Sequence, residues 1–378
     1  MFDGVTATID LEAIAENYRI LKAAAPRAEM SAVVKADAYG LGMDPVARAL
    51  SACGCISFYV IQFAEAVALR KVLPHAAIAP FYGIPEGAER EALRLRLTPV
   101  INDLAQLERL RRFAEAETRS LSVILHVDTG MNRLGFSASE FEKLSEDSSL
   151  LAGLNVSHVM SHLACSDEPD HPMNEEQRAR FAKAVAAFPE AKKSFANSHG
   201  IFLGPHYHFD QCRPGRALSG TNMHNAKTLL KMAVRLSAPI LQVRCVDSDS
   251  TVGYGALQPV KKGMRLATLA GGYADGLMRS LTPSAQRRTH FYLQGHKVPL
   301  MGRVSMDLIV VDVSNVPENL AHPGADIEIA GPHQSMDELA DQAGTIGYEM
   351  LTHIAVRVKR TYLPLKTSHE QQPLFSRA

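Results

Sequence analysis

Between residues 11 and 232 the sequence alternates short apolar runs with longer amphipathic segments, and this alternation limits the possible folds more than any other feature. Runs of strand length and composition cover 30–34, 57–61, 77–81, 98–101, 123–127, 156–160, 194–196 and 209–211. Between several of them lie helical patterns at 63–72, 103–117, 139–146 and 175–187. Ahead of the first run, Leu11, Ile14, Ala15, Tyr18 and Leu21 recur at helical spacing. Eight strands alternating with helices predict an α/β fold, an N-terminal (β/α)8 TIM-type barrel, with a doubly wound open sheet as the alternative.

Beyond about residue 232 the texture changes. Short β-like runs at 234–236, 240–246, 298–301, 308–313 and 327–330 are divided by Gly, Pro, Asp and Ser. Only 336–342 and 348–353 carry a helical pattern. A chain of 378 residues is too long for one core, so a barrel over 1–232 and a mainly β domain over 233–378 are expected. The first few residues are free to pair with the second domain. The tail beyond Leu365 has the character of a frayed end.

Forty basic residues balance forty acidic ones, which gives no footing for a nucleic-acid or membrane-surface partner. The five cysteines are scattered in neither a disulfide nor a zinc spacing, as in a reducing compartment. The first residues lack the basic and apolar regions of a signal peptide, and the longest uncharged stretch, 49–64, is too short and polar to span a bilayer. A cytoplasmic protein is expected.

In a parallel barrel, chemistry sits at the C-terminal ends of the strands. Lys35 ends the first predicted strand, where an apolar run meets a turn with two glycines. A lysine in such a place is costly to desolvate unless it finds a partner or gives up its proton, and a neutral amine forms imines with carbonyl cofactors. Residues 128–133 follow the fifth strand, His162 ends the sixth, 197–200 follow the seventh and 213–215 the eighth. Each has a plainer reading: a surface lysine, a turn-capping Asp128, a core His162, an Arg213 paired at the surface. Five of them on one predicted face favour a site. The small-residue turns 197–200 and 213–215 suit a phosphate. Lysine for a carbonyl, arginine for a ring nitrogen and a phosphate cradle point together to pyridoxal phosphate. His199, His206 and His208, with Asp210 and Cys212, offer a competing metal reading, but their spacing matches no compact metal motif. In the second domain VGYGA (252–256), GGYADG (271–276) and GRVSMD (302–307) read as tight turns that present their side chains.

These segments together resemble the alanine racemase family of fold-type III pyridoxal-phosphate enzymes over almost the whole chain. The blocks are VVKADAYGLG, DTGMNRLGF, SHLA, ANS, FDQCRPG, VGYGA, GGYADG, GRVSMDL and TIGYEML. The resemblance implies that Lys35 carries pyridoxal 5'-phosphate and acts as one base. It implies a homodimer with shared active sites, in which the partner subunit's Tyr254 is the opposite base. Arg213 would hydrogen-bond the ring nitrogen, which disfavours ring protonation, and His162 would support Arg213 and Tyr254. Tyr39, Ser198, Gly215, Arg216 through its backbone, and Tyr348 would hold the phosphate beside Asn197. Arg133 and the partner's Met306 would receive the substrate carboxylate. Tyr273 and the partner's Asp307 would line the entrance, and no metal is implied. The small-molecule substrate would be alanine, with D-alanine as a peptidoglycan precursor.

The chain departs from the family pattern in places. His126 stands where the family often has a carbamylated lysine, and Leu41 where a histidine is common. Arg216 and Ser219 replace an apolar residue and a tyrosine, and 356–360 lacks a usual proline. These changes spare both bases but bear on substrate choice. The alternatives are a racemase for a larger or basic amino acid, a non-catalytic pyridoxal-phosphate carrier, which would share only the first domain, and a metal-dependent barrel hydrolase.

Overall fold

The computed structural model describes residues 4–221 and 230–366. The tail expected to fray lies, from residue 367, outside the described residues. The chain opens with β1 (Thr6–Asp10), which leaves the barrel altogether and pairs with strands of the C-terminal sheet. Asp10 then caps α1 (Leu11–Ala24) by accepting from the Ala13 amide, and Ile14, Tyr18 and Leu21 turn the apolar face inward.

The barrel is closed. Its strands are β2 (Glu29–Met30) with β3 (Ala32–Val33), β4 (Ser57–Val60), β5 (Ala77–Pro80), β6 (Val100–Ile101), β7 (Leu121–His126), β8 (Leu154–Met160), β9 (Lys192–Ser194) and β10 (Gln211–Cys212). Neighbours pair in parallel, and β10 returns to β2 with Gln211 opposite Glu29. The Thr98 amide joins β5 to the next strand through the Ile78 carbonyl, and the Ser31 and Val33 amides reach Cys212 and Pro214. This closure rules out the open sheet. Observed helices α2 (Met43–Ala52), α3 (Phe63–Val72), α4 (Glu89–Arg94), α5 (Leu104–Glu117), α6 (Ala138–Glu146) and α7 (Met173–Val185) lie between strands, within two residues of the expected bounds where one was set. Val33, Tyr59, Ala79, Val100, Ile124 and Met160, one from each of six strands, form an apolar cluster.

The C-terminal sheet is built around β11 (Val234–Cys245), a single strand where the sequence suggests two. Pro239, inside it, marks a change of neighbours: residues before it pair with β1 and β18 (Asp326–Ala330), residues after it with β14 (Arg265–Ala270). The small hairpin of β12 (Ser250–Val252) and β13 (Gln258–Val260) projects between them in sequence. From β14 the order runs through β17 (Leu308–Asp312), β16 (His296–Met301) and β15 (His290–Leu293) to β18 and back to β11. The last strand, β19 (Lys359–Leu363), lies parallel to β1.

Two short helices, α8 (Met336–Ala343) and α9 (Gly347–Thr352), carry the second domain to the barrel mouth. There Arg360 Nε donates to the Gly40 carbonyl and Tyr362 donates its hydroxyl to that of Leu41. Gly40 has φ +81, and a Cβ there would stand 2.2 Å from the Leu351 carbonyl oxygen. Only glycine permits this contact. Among the described residues no helix is long and apolar enough to cross a membrane.

Candidate active site

Lys35 leaves β3 into a turn with an unusual backbone. Ala36, Asp37, Ala38 and Tyr39 all have φ between 51 and 57, a left-handed turn made of four non-glycine residues. Such a conformation costs about 1–2 kcal/mol per residue, so the surroundings must hold it. Glu65 accepts from the Ala36 amide at 2.7 Å, and Asp37 accepts from the Met43 amide at 2.7 Å. Glu65 also accepts from the Ile61 and Gln62 amides at the start of α3, so one carboxylate ties two βα loops together. Burial, and then the charge of Arg133, lower the pKa of Lys35 against the opposing pull of Glu65. A larger fraction of neutral amine follows.

Lys35 opens into a cavity of about 370 Å3 at the C-terminal ends of the strands. Tyr39, Arg133, His162, Asn197, Ser198, Arg213, Gly215, Arg216 and Tyr348 line it as well. Ten of the expected site residues thus meet in one place. The volume falls in the range of small-ligand sites.

Arg213 is buried, and its guanidinium donates to Ser194 Oγ at 2.6 Å, to the Ser161 carbonyl at 2.5 Å and more weakly to that of Phe195 at 3.4 Å. Burial holds the His162 imidazole well below its usual range, with the Arg213 charge next. His162 is therefore neutral at physiological pH. Ser198 Oγ accepts from the Gly215 and Ala217 amides, both at 3.1 Å, which fixes the loop after β10. A Cβ on Gly215 would lie 2.3 Å from the Tyr39 hydroxyl, so glycine lets that ring approach. Asn197 Oδ1 accepts from Ser166 and the Gly200 amide. Arg216 pairs with Asp337 at 3.4 Å and lies 4.7 Å from the Tyr348 ring centroid.

Arg133 is exposed on a loop organised by Asp128, whose carboxylate accepts from the Gly130, Met131 and Asn132 amides at 2.8 Å each. No carboxylate lies within ion-pair distance of Arg133 among the described residues. His126, at the end of β7, bonds through Nδ1 to Asn102 Oδ1 at 2.8 Å. Asn102 Nδ2 donates to the Phe81 carbonyl, so its oxygen faces the ring and His126 Nδ1 carries the proton. Burial, then Arg213, push His126 down to about 4. A neutral imidazole leaves the charge of Arg133 uncompensated.

Tyr254, Tyr273, Met306 and Asp307 do not line this cavity in their own chain. They gather on the β domain. The Tyr273 and Ala274 amides donate to the Ser305 and Met306 carbonyls, and the Gly253 backbone packs near Arg303. Tyr254 is 73% exposed, Met306 53% and Tyr273 42%. Asp307 pairs with Arg357, which also grips Asp275. Three motifs distant in sequence thus form one exposed surface.

The histidine cluster is otherwise engaged: His208 bonds the Ile201 carbonyl through Nε2, and His206 packs on Tyr207. Among the described residues no three His, Cys, Asp or Glu side chains are placed to hold a metal. Glu65, Asn102, Ser194, Gln211 and Asp337 support the site and were not singled out from the sequence. Only Glu65 left a signal there, as the third helical residue of a capping box begun by Gln62.

The pattern of the alanine racemase N-terminal domain matches residues 9–223, and that of the C-terminal domain residues 233–362. The chain is 47% identical over 358 residues to an alanine racemase of Rhodospirillum rubrum, covering 94% of this chain and 95% of that one. It is 43% identical to a catabolic alanine racemase of Agrobacterium fabrum, over 94% of this chain and 91% of the relative. The fold superposes with a TM-score of 0.90 on a crystal structure of alanine racemase from Bartonella henselae with covalently bound pyridoxal phosphate, at 37% identity over 95% of this chain and 99% of that one.

Proposed function

The chain belongs to the alanine racemase family, and from that premise we propose that it interconverts L- and D-alanine with pyridoxal 5'-phosphate, as a homodimer whose shared sites pair Lys35 with the partner subunit's Tyr254. The observation that carries this reading is the lysine of lowered pKa lining a single cavity together with Arg213, Ser198 and Gly215. These residues suit the cofactor. Lys35 would hold its carbonyl carbon, Arg213 its ring nitrogen, and Tyr39, Asn197, Ser198, Gly215, the Arg216 backbone and Tyr348 its phosphate. When bound, the group supplies an electron-withdrawing ring that acidifies the substrate Cα–H.

Racemisation needs a proton removed at one face of Cα and one returned at the other. Lys35, with its lowered pKa, accepts or returns the proton at Nζ on one side. Tyr254 serves the other side through its phenol oxygen. Each positioned group contributes about 10²–10⁴-fold. Arg213, a permanent cation, would disfavour a proton on the ring nitrogen and so limit side reactions. Arg133, uncompensated by the neutral His126, attracts the substrate carboxylate, with the partner's Met306 beside it. The partner's Tyr273 and the partner's Asp307 border the entrance.

A second reading, a racemase for a larger or basic amino acid, draws on His126 and on Arg216 with its Asp337 partner at the cavity edge. The five thiols are all free, which supports a cytoplasmic setting. The test is chiral analysis of alanine and a panel of other amino acids incubated with the purified enzyme and pyridoxal phosphate. Equal amounts of the two alanine enantiomers, the highest kcat/KM for alanine, and a pyridoxyl mass on Lys35 after borohydride reduction are expected. A persistent excess of one enantiomer with cofactor bound refutes the proposal.

A further inference from the structure

We infer that a chain of hydrogen bonds through the barrel interior, from Glu29 through Gln211 and Ser194, sets the pose of Arg213, and that Gln211 is a positioning residue for the contact between Arg213 and the cofactor ring nitrogen. The inference rests on the proposed reading only in assigning Arg213 to that nitrogen.

TIM-type barrels fill their interior mainly with branched apolar side chains. Here Tyr59, Ser194, Gln211 and Arg213 are each no more than 3% exposed and lie side by side. Counting hydrogens fixes the direction of every link. Arg213 only donates, and Nη1 gives to Ser194 Oγ at 2.6 Å. Ser194 has one hydrogen, and its short bond goes to Gln211 Oε1 at 2.8 Å. The Tyr59 hydroxyl gives to the same oxygen at 2.7 Å. Gln211 Nε2 in turn gives to Glu29 Oε1 at 3.0 Å, and Lys192 gives to Glu29 Oε2 at 2.8 Å. A flipped Gln211 amide would set its NH2 against two hydroxyl donors and its oxygen against a carboxylate. The amide therefore has one orientation.

Every link points its hydrogen toward the Glu29 carboxylate. The Ser194 hydrogen is committed to Gln211, so its lone pairs are left to Arg213. Linked hydrogen bonds polarise one another in a medium of low dielectric constant. Arg213 is a buried cation with no carboxylate in ion-pair contact among the described residues. Its pose depends on Ser194 and on the Ser161 and Phe195 carbonyls. Of these, only the serine hydroxyl can rotate away. Gln211 prevents that rotation. Gln211 itself does not line the cavity.

The experiment uses Gln211→Met, Glu29→Gln and the exchange pair Glu29→Gln with Gln211→Glu, in the full-length protein stripped of cofactor. The pair reverses this link, with a donor at 29 and an acceptor at 211 that still receives the Ser194 hydrogen. Apoenzyme is titrated with pyridoxal phosphate and with the analogue that carries carbon in place of the ring nitrogen, and absorbance of the bound cofactor is followed against pH. For Gln211→Met we expect the preference for pyridoxal phosphate over the analogue to fall about tenfold, the size of a lost hydrogen bond to a charged group. The absorbance titration should shift, kcat should fall, and KM for alanine should stay within about twofold. Glu29→Gln should give a smaller change in the same direction, and the exchange pair should recover the preference.

Equal weakening of both ligands by Gln211→Met means a merely structural network and overturns the inference. So does an unchanged preference. Should Gln211→Met not fold, a preference unchanged in Glu29→Gln and not raised above it in the pair refutes the inference alone. Cofactor binding is read directly, so a failure of alanine racemisation in the wild-type enzyme leaves this test intact.

Discussion

His126 and His158 are imidazoles that the fold keeps uncharged, each pushed down to about 4 and each chiefly by burial. The unfolded chain binds a proton at both positions as pH falls through about 6.5, and the folded chain resists until about 4. Stability is therefore fully present above about pH 6.5 and is lost progressively as pH falls toward 4. At pH 5 the loss relative to pH 7 amounts to about 2 kcal/mol per histidine as an upper figure. Urea unfolding midpoints at the two pH values should reveal the drop, and His126→Asn should reduce it; an identical drop in the variant would show that His126 is not its source. Lys35, His162 and Arg213 were legible in the sequence because their chemistry is conspicuous at the ends of apolar runs. Ser194, Gln211 and Asn102 were not. They are ordinary polar residues: Ser194 and Gln211 gain their roles only because closure brings β2, β9 and β10 together, and Asn102 meets His126 only because β6 pairs with β7.

Among the elements, the turn after β3 shows most clearly how the local sequence and the fold disagree. Gly40 and Gly42 announce a turn and both have positive φ, yet the left-handed backbone already begins on the four residues before them, which have Cβ atoms. Tertiary bonds from Glu65 and Arg360 pin this segment and point Lys35 into the cavity. Ala36 is exposed, so its methyl group can be removed with little loss of packing. Ala36→Gly should raise unfolding free energy by about 0.5–1 kcal/mol, the relief of left-handed strain less the added chain entropy. A decrease measured in denaturant titrations would show that the turn is not strained. The same limit of local reading applies to β11, where Pro239 suggests a break but the strand continues with new partners. The strands β1 and β19 were not set out as strands in advance, since they gain their partners only from the opposite end of the chain.

The whole molecule presents an imbalance. One cavity holds the lysine, the arginines and the cradle, whereas Tyr254, Met306 and Tyr273 stand on an exposed face of the other domain. A second copy of the chain that seats this face over its own cavity resolves the imbalance, because a twofold dimer then builds two equal sites. The measurement that tests this most directly mixes two inactive variants, Lys35→Ala and Tyr254→Phe, after subunit exchange. Each pure variant lacks a base at both sites. In a mixed dimer one site lacks both bases, and the other is intact. With half of the dimers mixed, activity should return to about a quarter of the wild-type level. No recovery, in a sample shown to contain mixed dimers, would contradict the pairing of Lys35 with the partner subunit's Tyr254.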